Sequence, residues 1–198
     1  LKTIEEPPVY AIIILLTENC DSLLPTIRSR CVTLTMNPVE KDKICTYLEN
    51  KFQLEPEQAQ IAANYCQGNI GKAIRFASSS DFIEMKNQVL KLLKNLDSMD
   101  IASIIDTIKE FSTHKNDIND YLDLMLLWYR DVLMFKVTKD ANLLLYSDEY
   151  SAISEQATKR DYENIENIIA AIDKAKVRLK ANVNFDVTIE LMILAMKD

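Results

Sequence analysis

The sequence predicts a mainly α-helical protein with two short strands near its start, and three observations carry that prediction. Only 2 glycines and 5 prolines occur in 198 residues, which leaves few turns and favours long helices. From residue 39 onward, apolar residues recur at the three- and four-residue spacing of amphipathic helices. Before that point, the apolar run at 9–17 is typical of a buried strand, and a second short strand is expected at 32–35.

Composition limits the function classes that are open to this chain. A hydrophobic content of 48% is ordinary for a soluble globular protein. The formal net charge of −7 argues against wrapping DNA, because the average field repels phosphate. No apolar stretch is long enough to span a membrane, and the first residues, LKTIEE, are unlike a signal peptide. A cytoplasmic location without membrane contact is therefore expected.

The cysteines do not form a pattern that is typical of a metal site. Cys20, Cys31, Cys45 and Cys66 lack C-x-x-C spacing, and His114 is the only histidine. We expect buried free thiols in a reducing compartment, and no metal.

The stretch 15–31, LLTENCDSLLPTIRSRC, is the most informative part of the sequence. An apolar run enters a polar corner, and a short helical turn follows. Four residues of that turn fall on one face at helical spacing: Leu23, Leu24, Ile27 and Cys31. We expect this face to hold the turn down, with Arg28 and Arg30 on opposite flanks and at least one guanidinium directed outward.

This stretch resembles the sensor-1 strand and the Ser-Arg-Cys motif of the AAA+ clamp-loader family. The resemblance implies that Arg30, flanked by Ser29 and Cys31, is an arginine finger that reaches a nucleotide held by the neighbouring subunit. It also places Thr17 at the sensor-1 position. The alternatives are that Arg28 and Arg30 are surface residues at a helix C-terminus, and that Thr17 bonds its own backbone in a turn.

The start of the chain resembles the same family. Residues 1–6 are typical of the end of a helix, which Pro7 and Pro8 terminate. A similar helix end precedes the sensor-1 strand in subunits of this family. We therefore expect a C-terminal fragment of a longer polypeptide, cut within its nucleotide-binding domain. It contains no phosphate-binding loop and no Walker B strand, so we expect this fragment to hold no cofactor and to perform no ATP chemistry by itself. The resemblance places the parent protein in a DNA polymerase holoenzyme, with ATP bound by a neighbouring subunit.

Such a remnant of an α/β domain would occupy residues 1–36. Because its strands at 9–17 and 32–35 would lack their usual neighbours, we expect them to pair with each other or with a second copy of the chain.

Pro38 marks the change to helices. Helices are expected at 40–52, 57–66 and 70–78, and the resemblance identifies residues 37–96 as a three-helix lid domain. Gly71 occupies the sensor-2 position, where ATP-hydrolysing relatives carry an arginine that contacts phosphate, so this position is degenerate. Lys72 lies about 100° further around the helix and is a poor substitute. Alternatively, Gly68 and Gly71 permit close packing at the start of a helix.

Further helices are expected at 82–95, 101–112, 118–136, 161–180 and 187–196, and residues 97–198 resemble a collar domain. Trp128 is interpreted as a core residue, and Arg130 with Asp131 as a structural ion pair. The last helix is apolar on nearly every side, so we expect it to be central to oligomerisation.

The resemblance thus implies a noncatalytic clamp-loader subunit that offers Arg30 to the ATP site of its neighbour. Its partners would be other clamp-loader subunits, bound through the collar helices, with the sliding clamp and primed DNA engaged indirectly. The alternatives are an ATP-hydrolysing member of the family or another AAA+ replication ATPase, and a purely structural helical interaction module.

Overall fold

A computed structural model describes residues 2–17, 19–78 and 81–197, and it is mainly helical, as predicted. Eleven α-helices lie in these ranges. Their bounds are Lys2–Glu5 (α1), Pro25–Arg28 (α2), Lys41–Phe52 (α3), Pro56–Tyr65 (α4), Ile70–Ser78 (α5), Asp81–Asn95 (α6), Ile101–Thr113 (α7), Ile118–Thr138 (α8), Tyr150–Lys159 (α9), Tyr162–Lys180 (α10) and Phe185–Lys197 (α11).

The chain divides into two units, residues 1–38 and 39–198. In the first unit, α1 and α2 are short, and the regular structure in the described residues between them is a single 3-10 turn at Cys20–Ser22. The second unit has a continuous hydrophobic core to which α3 through α11 all contribute. The predicted lid at 37–96 and collar at 97–198 share this core, and the division between them stays a prediction.

The two strands predicted at 9–17 and 32–35 are not formed in the described residues. The backbone turns after Pro8, whose carbonyl accepts the N–H of Ala11 at 2.8 Å, and then runs without regular structure. Ile12 and Leu16 are 90% and 92% exposed. A strand needs a neighbour for its ladder of hydrogen bonds, and the described part of this unit supplies none. The expected pairing of the two segments with each other is therefore wrong, whereas pairing with a second copy stays a prediction.

The helices predicted in the second unit are all present, and each end lies within two residues of its prediction. Local chemistry explains several of these ends. Asp100 accepts the backbone N–H of Ser103 at 2.8 Å, and Asp161 accepts that of Asn164 at 2.7 Å, so each aspartate caps the helix that it precedes. Helix α9 was not predicted.

The core of the second unit joins α6, α8 and α9 around a buried tryptophan. Trp128 is fully buried and its Nε1 donates to Gln156 Oε1 at 3.0 Å. Gln156 Nε2 in turn donates to the carbonyl of Leu93 at 2.8 Å. The interpretation of Trp128 as a core residue is confirmed.

The ion pair predicted between Arg130 and Asp131 is also confirmed, with 2.7 Å between Arg130 Nη1 and Asp131 Oδ1. Asp131 is fully buried, and its other oxygen accepts the N–H of Tyr146 at 2.8 Å. Burial raises the pKa of Asp131, and this backbone bond and the arginine act in the opposite direction. The pair therefore has a structural role in fixing the chain after α8.

All four cysteines are free, as predicted, but they are not all buried. Cys66 lies in the core, Cys20 and Cys45 are half-buried, and Cys31 is exposed. None of the described helices combines the length and the apolar content that a membrane crossing requires.

Candidate functional site

The Ser-Arg-Cys residues lie on a tight turn at the end of α2. The N–H of Arg30 donates to the carbonyl of Ile27 at 3.1 Å, and that of Cys31 donates to the carbonyl of Arg28 at 3.3 Å. The hydroxyl of Ser29 bonds the carbonyl of Thr26 at 3.2 Å. All three residues of the motif are exposed. The turn thus presents the motif on the surface of this unit.

Each of the two arginines has a partner of its own. Arg30 Nη2 lies 3.0 Å from Glu5 Oε1, and Arg30 Nη1 donates to the carbonyl of Thr26 at 2.7 Å. Arg28 Nη1 lies 2.7 Å from Asp21 Oδ1. The two guanidinium groups therefore lie in separate environments, which agrees with the expectation that Arg28 and Arg30 lie on opposite flanks of the turn.

The apolar face of this turn does not hold it down in the way that the sequence predicts. Leu24 is exposed, as is Cys31, and Leu23 and Ile27 are only half-buried. In the described residues of the first unit, the turn is instead formed by its backbone hydrogen bonds, and the two ion pairs are exposed contacts at its surface. Exposed hydrogen bonds and ion pairs are weak individually, so this arrangement is easily displaced.

Thr17, which the resemblance places at the sensor-1 position, bonds the backbone next to it. Its hydroxyl donates to the carbonyl of Asn19 at 2.9 Å and lies 3.2 Å from the N–H of the same residue. The side chain of Asn19 then accepts the N–H of Asp21 at 2.8 Å and caps the turn that follows. No hydrogen bond among the described residues joins Thr17 to Arg30.

Gly71, which the resemblance places at the sensor-2 position, lies in the first turn of α5. A Cβ built there would lie 3.2 Å from Asn69 Oδ1, which accepts the N–H of Lys72 at 3.0 Å and so caps the helix. Gly68, just before, has a φ of 80°, a left-handed conformation that glycine adopts without strain. Its carbonyl accepts the N–H of Val39 at 3.0 Å. Gly68 thus allows a left-handed backbone before α5, and Gly71 leaves room for the Asn69 cap.

Lys72 takes part in a charge cluster that joins three helices. Its ammonium contacts the carboxylate of Asp123 and lies 3.2 Å from Asp120 Oδ1. Lys176 Nζ lies 2.5 Å from the other oxygen of Asp123, and Arg75 Nη2 lies 2.5 Å from the other oxygen of Asp120. We call these five residues, from α5, α8 and α10, the α5–α8–α10 charge cluster.

The pKa values in this cluster follow from its pairing. Burial alone would lower the pKa of Lys72, but the hydrogen bond and charge of Asp123 outweigh it and raise that pKa. Burial likewise acts to raise the pKa of Asp123, but Lys176 and Lys72 lower it below the usual 3.8. Both groups are therefore charged near neutral pH, and the ammonium of Lys72 is committed to the cluster.

Replacing Asp123 by alanine is expected to lower the free energy of unfolding by about 2–3 kcal/mol. Two lysines would be left half-buried without their shared partner, and the loss is smaller than the roughly 3–5 kcal/mol for a fully buried pair because the site is partly exposed. Urea denaturation at neutral pH measures it.

The matched control is Asp106→Ala, which removes an exposed pair with Lys109 and is expected to change stability by less than about 0.5 kcal/mol. Because the folded-state pKa of Asp123 is depressed, its contribution is present above the usual carboxyl pKa and is lost as the pH falls through the lower folded value. The difference between wild type and Asp123→Ala should therefore close in acid. Equal effects of the two variants at neutral pH would contradict the account.

Among the described residues, no group of three or more His, Cys, Asp or Glu side chains is placed to hold a metal ion. Thr17 and the Ser-Arg-Cys turn belong to the first unit, and Gly71 belongs to the second. The α5–α8–α10 charge cluster was missed, although two aspartates three residues apart in the first half of the largely apolar α8 were its signal.

Comparison with known proteins identifies relatives of this chain. Residues 1–40 match the family model described as DNA polymerase III, delta subunit. The whole chain is 31% identical to DNA polymerase III subunit delta' of Bacillus subtilis, over 60% of that protein. Subunit tau of the same organism is 24% identical over 69% of this chain and 28% of its own length. Subunit gamma of Buchnera aphidicola is 21% identical over 98% of this chain and 60% of its own length.

The resemblance to clamp-loader subunits that the sequence predicted is thereby confirmed, and along its whole length the chain is similar to a delta-prime subunit. The chain spans about 60% of the length of that delta-prime relative and 28% of the length of the tau relative.

Proposed function

We propose that this chain, a relative of the delta-prime, tau and gamma subunits of DNA polymerase III, is the C-terminal part of a noncatalytic, delta-prime-type clamp-loader subunit. Its task is to offer Arg30 in trans to ATP bound by a neighbouring subunit while a sliding clamp is loaded during DNA replication. The observation that carries the proposal is the contrast between two cations. Arg30 lies on an exposed turn, whereas the ammonium of Lys72, beside Gly71, is engaged in the α5–α8–α10 charge cluster.

The chemistry of Arg30 supports a role at a phosphoryl group. A guanidinium is planar, permanently charged and able to donate two parallel hydrogen bonds, which suits the charge that grows on a phosphoryl group during hydrolysis. The hydrogen bond from Ser29 to Thr26 tightens the turn, and Cys31 follows in the bend that ends it. We assign these two flanking residues the positioning of Arg30.

The environment of Gly71 supports the noncatalytic part of the proposal. Glycine offers no side chain to a phosphate, and the ammonium of Lys72 is engaged by Asp120 and Asp123. The only glycines in this chain are Gly68 and Gly71, so it contains no phosphate-binding loop. ATP is then held by the neighbour, and this chain binds no cofactor of its own.

The last helix supports an assembly role. Three apolar residues spaced four and three apart are about half exposed along one side of α11, while its other side is buried in the core. They are Val187, Leu191 and Leu194. We assign this stripe to contacts with gamma/tau-type and delta-type subunits in the cytoplasm. The sliding clamp and primed DNA are then reached only through the complex, in keeping with the net charge of −7.

A second candidate is an ATP-hydrolysing gamma/tau-type subunit, which the similarity to the tau and gamma relatives favours. Gly71 and the commitment of Lys72 to the charge cluster weigh against it. A third candidate, a structural helical module with no nucleotide role, would leave the exposed arginine turn without a function.

ATP turnover by the full-length protein distinguishes these candidates. We expect the protein alone to show no turnover, and a complex with gamma/tau-type and delta-type subunits to lose most of its turnover when this protein is omitted. ATP turnover by the protein alone would favour the second candidate, an ATP-hydrolysing gamma/tau-type subunit. Unchanged turnover of the complex after omission would favour the structural module.

A further inference from the structure

Glu5 is paired with one of the two terminal guanidinium nitrogens of Arg30, which a phosphoryl group would also have to bind. The two terminal nitrogens of the guanidinium form the fork that binds a carboxylate or phosphate with two parallel hydrogen bonds. In this structure Nη2 lies 3.0 Å from Glu5 Oε1, and Nη1 donates to the carbonyl of Thr26 at 2.7 Å. Both arms of the fork are therefore occupied from within the first unit.

We infer that Glu5 is an autoinhibitory latch that holds Arg30 away from the neighbouring nucleotide until a polyphosphate displaces the carboxylate. The inference rests on the proposed role of Arg30. It adds a regulatory residue in α1, more than twenty positions before the motif, that nothing in the Ser-Arg-Cys pattern itself indicates.

The strength of the contact suits an exchangeable latch. The side chains of Arg30 and Glu5 are 39% and 41% exposed. An ion pair with that exposure contributes little, so it biases the position of the guanidinium without fixing it. A polyphosphate carries more charge than one carboxylate and offers more oxygens to the guanidinium fork, so it outcompetes Glu5.

The neighbouring arginine provides an internal comparison. Arg28 is paired with Asp21 at 2.7 Å in the same turn region, and the side chain of Arg28 is 47% exposed. Asp21→Asn and Glu5→Gln therefore each remove one unit of charge from an arginine–carboxylate pair of the same turn region, and only Glu5→Gln frees Arg30. A second comparison is Glu6→Gln, since Glu6 has no ion pair within the described residues.

The test is the single-turnover rate of ATP hydrolysis by the reconstituted complex that contains the full-length protein. At low salt, Glu5→Gln is expected to raise this rate about two- to fivefold, the range that the loss of an exposed ion pair allows. The gain should shrink as salt screens the pair in the wild type. Asp21→Asn and Glu6→Gln are expected to leave the rate unchanged.

Combination with Arg30→Ala separates failure of the latch from failure of the proposed function. If the latch acts through Arg30, Glu5→Gln has no effect on the rate when Arg30 is already alanine. An unchanged or lower rate for Glu5→Gln, with Arg30→Ala strongly impaired, would overturn the latch alone. An unimpaired Arg30→Ala complex would overturn the proposed function, and the latch with it.

Discussion

Replacing Leu191 and Leu194 together by aspartate is expected to release the full-length protein from its complex. Their side chains are 46% and 43% exposed on α11, and Val187 extends the same stripe. In an assembled complex these leucines would be covered, and each aspartate would then bury a charge without a partner. Together with the loss of apolar burial, this is expected to weaken assembly about a hundredfold or more.

Gel filtration of the mixed subunits measures this effect, and the structure supplies a matched control. Ile101 on α7 and Val137 on α8 are also exposed apolar residues, at 77% and 68%. The double variant Ile101→Asp/Val137→Asp should therefore still assemble. The Leu191/Leu194 variant should keep the thermal unfolding midpoint of the wild type within a few degrees, because neither leucine lies in the core. Normal assembly of that variant would show that α11 is not the contact.

The helices of the second unit could be predicted because the helical spacing of apolar residues and the capping residues at helix ends indicate the same segments of the sequence. In α10, Ile165, Ile168, Ile172 and Ala175 recur at helical spacing and all are buried. Asp161 supplies the cap before them. Two independent local signals thus indicate the same element, and neither depends on residues far away in the chain.

Helix α9 was not predicted because few of its residues are apolar and buried. Only Ile153, Gln156 and Ala157 are buried, and one of them is a glutamine. A glutamine such as Gln156 is expected at the surface from the sequence, yet it is buried and forms hydrogen bonds with Trp128 and with the carbonyl of Leu93. Its burial depends on two other helices, which no local pattern reveals.

The strands could not be predicted correctly for a related reason. The apolar run at 9–17 satisfies the local pattern of a buried strand, but a strand is stabilised by hydrogen bonds to a neighbour. The charge cluster shows the opposite case. In the sequence, Asp120 and Asp123 interrupt the apolar pattern of α8 without an evident partner. In the structure their charges are paired with Lys72 and Lys176, about fifty residues away on either side.

Replacing Arg30 by alanine is expected to lower the rate of ATP hydrolysis in the complex by about a thousandfold or more. A finger supplied in trans stabilises charge that develops only in the transition state, so its removal affects the rate of hydrolysis far more than nucleotide affinity. Arg30→Lys should also be strongly impaired, because it keeps the charge but loses the planar fork. Arg28→Ala, whose side chain pairs with Asp21, is the matched control and should be close to wild type.

The single-turnover rate of ATP hydrolysis by a fully assembled Arg30→Ala complex, compared with wild type, is the most direct test. Assembly is verified on the same sample by gel filtration, so that a lost subunit is not mistaken for lost chemistry. We predict normal assembly, near-normal ATP binding and a rate reduced about a thousandfold. A rate within about twofold of wild type would mean that Arg30 does not act on the neighbour's nucleotide.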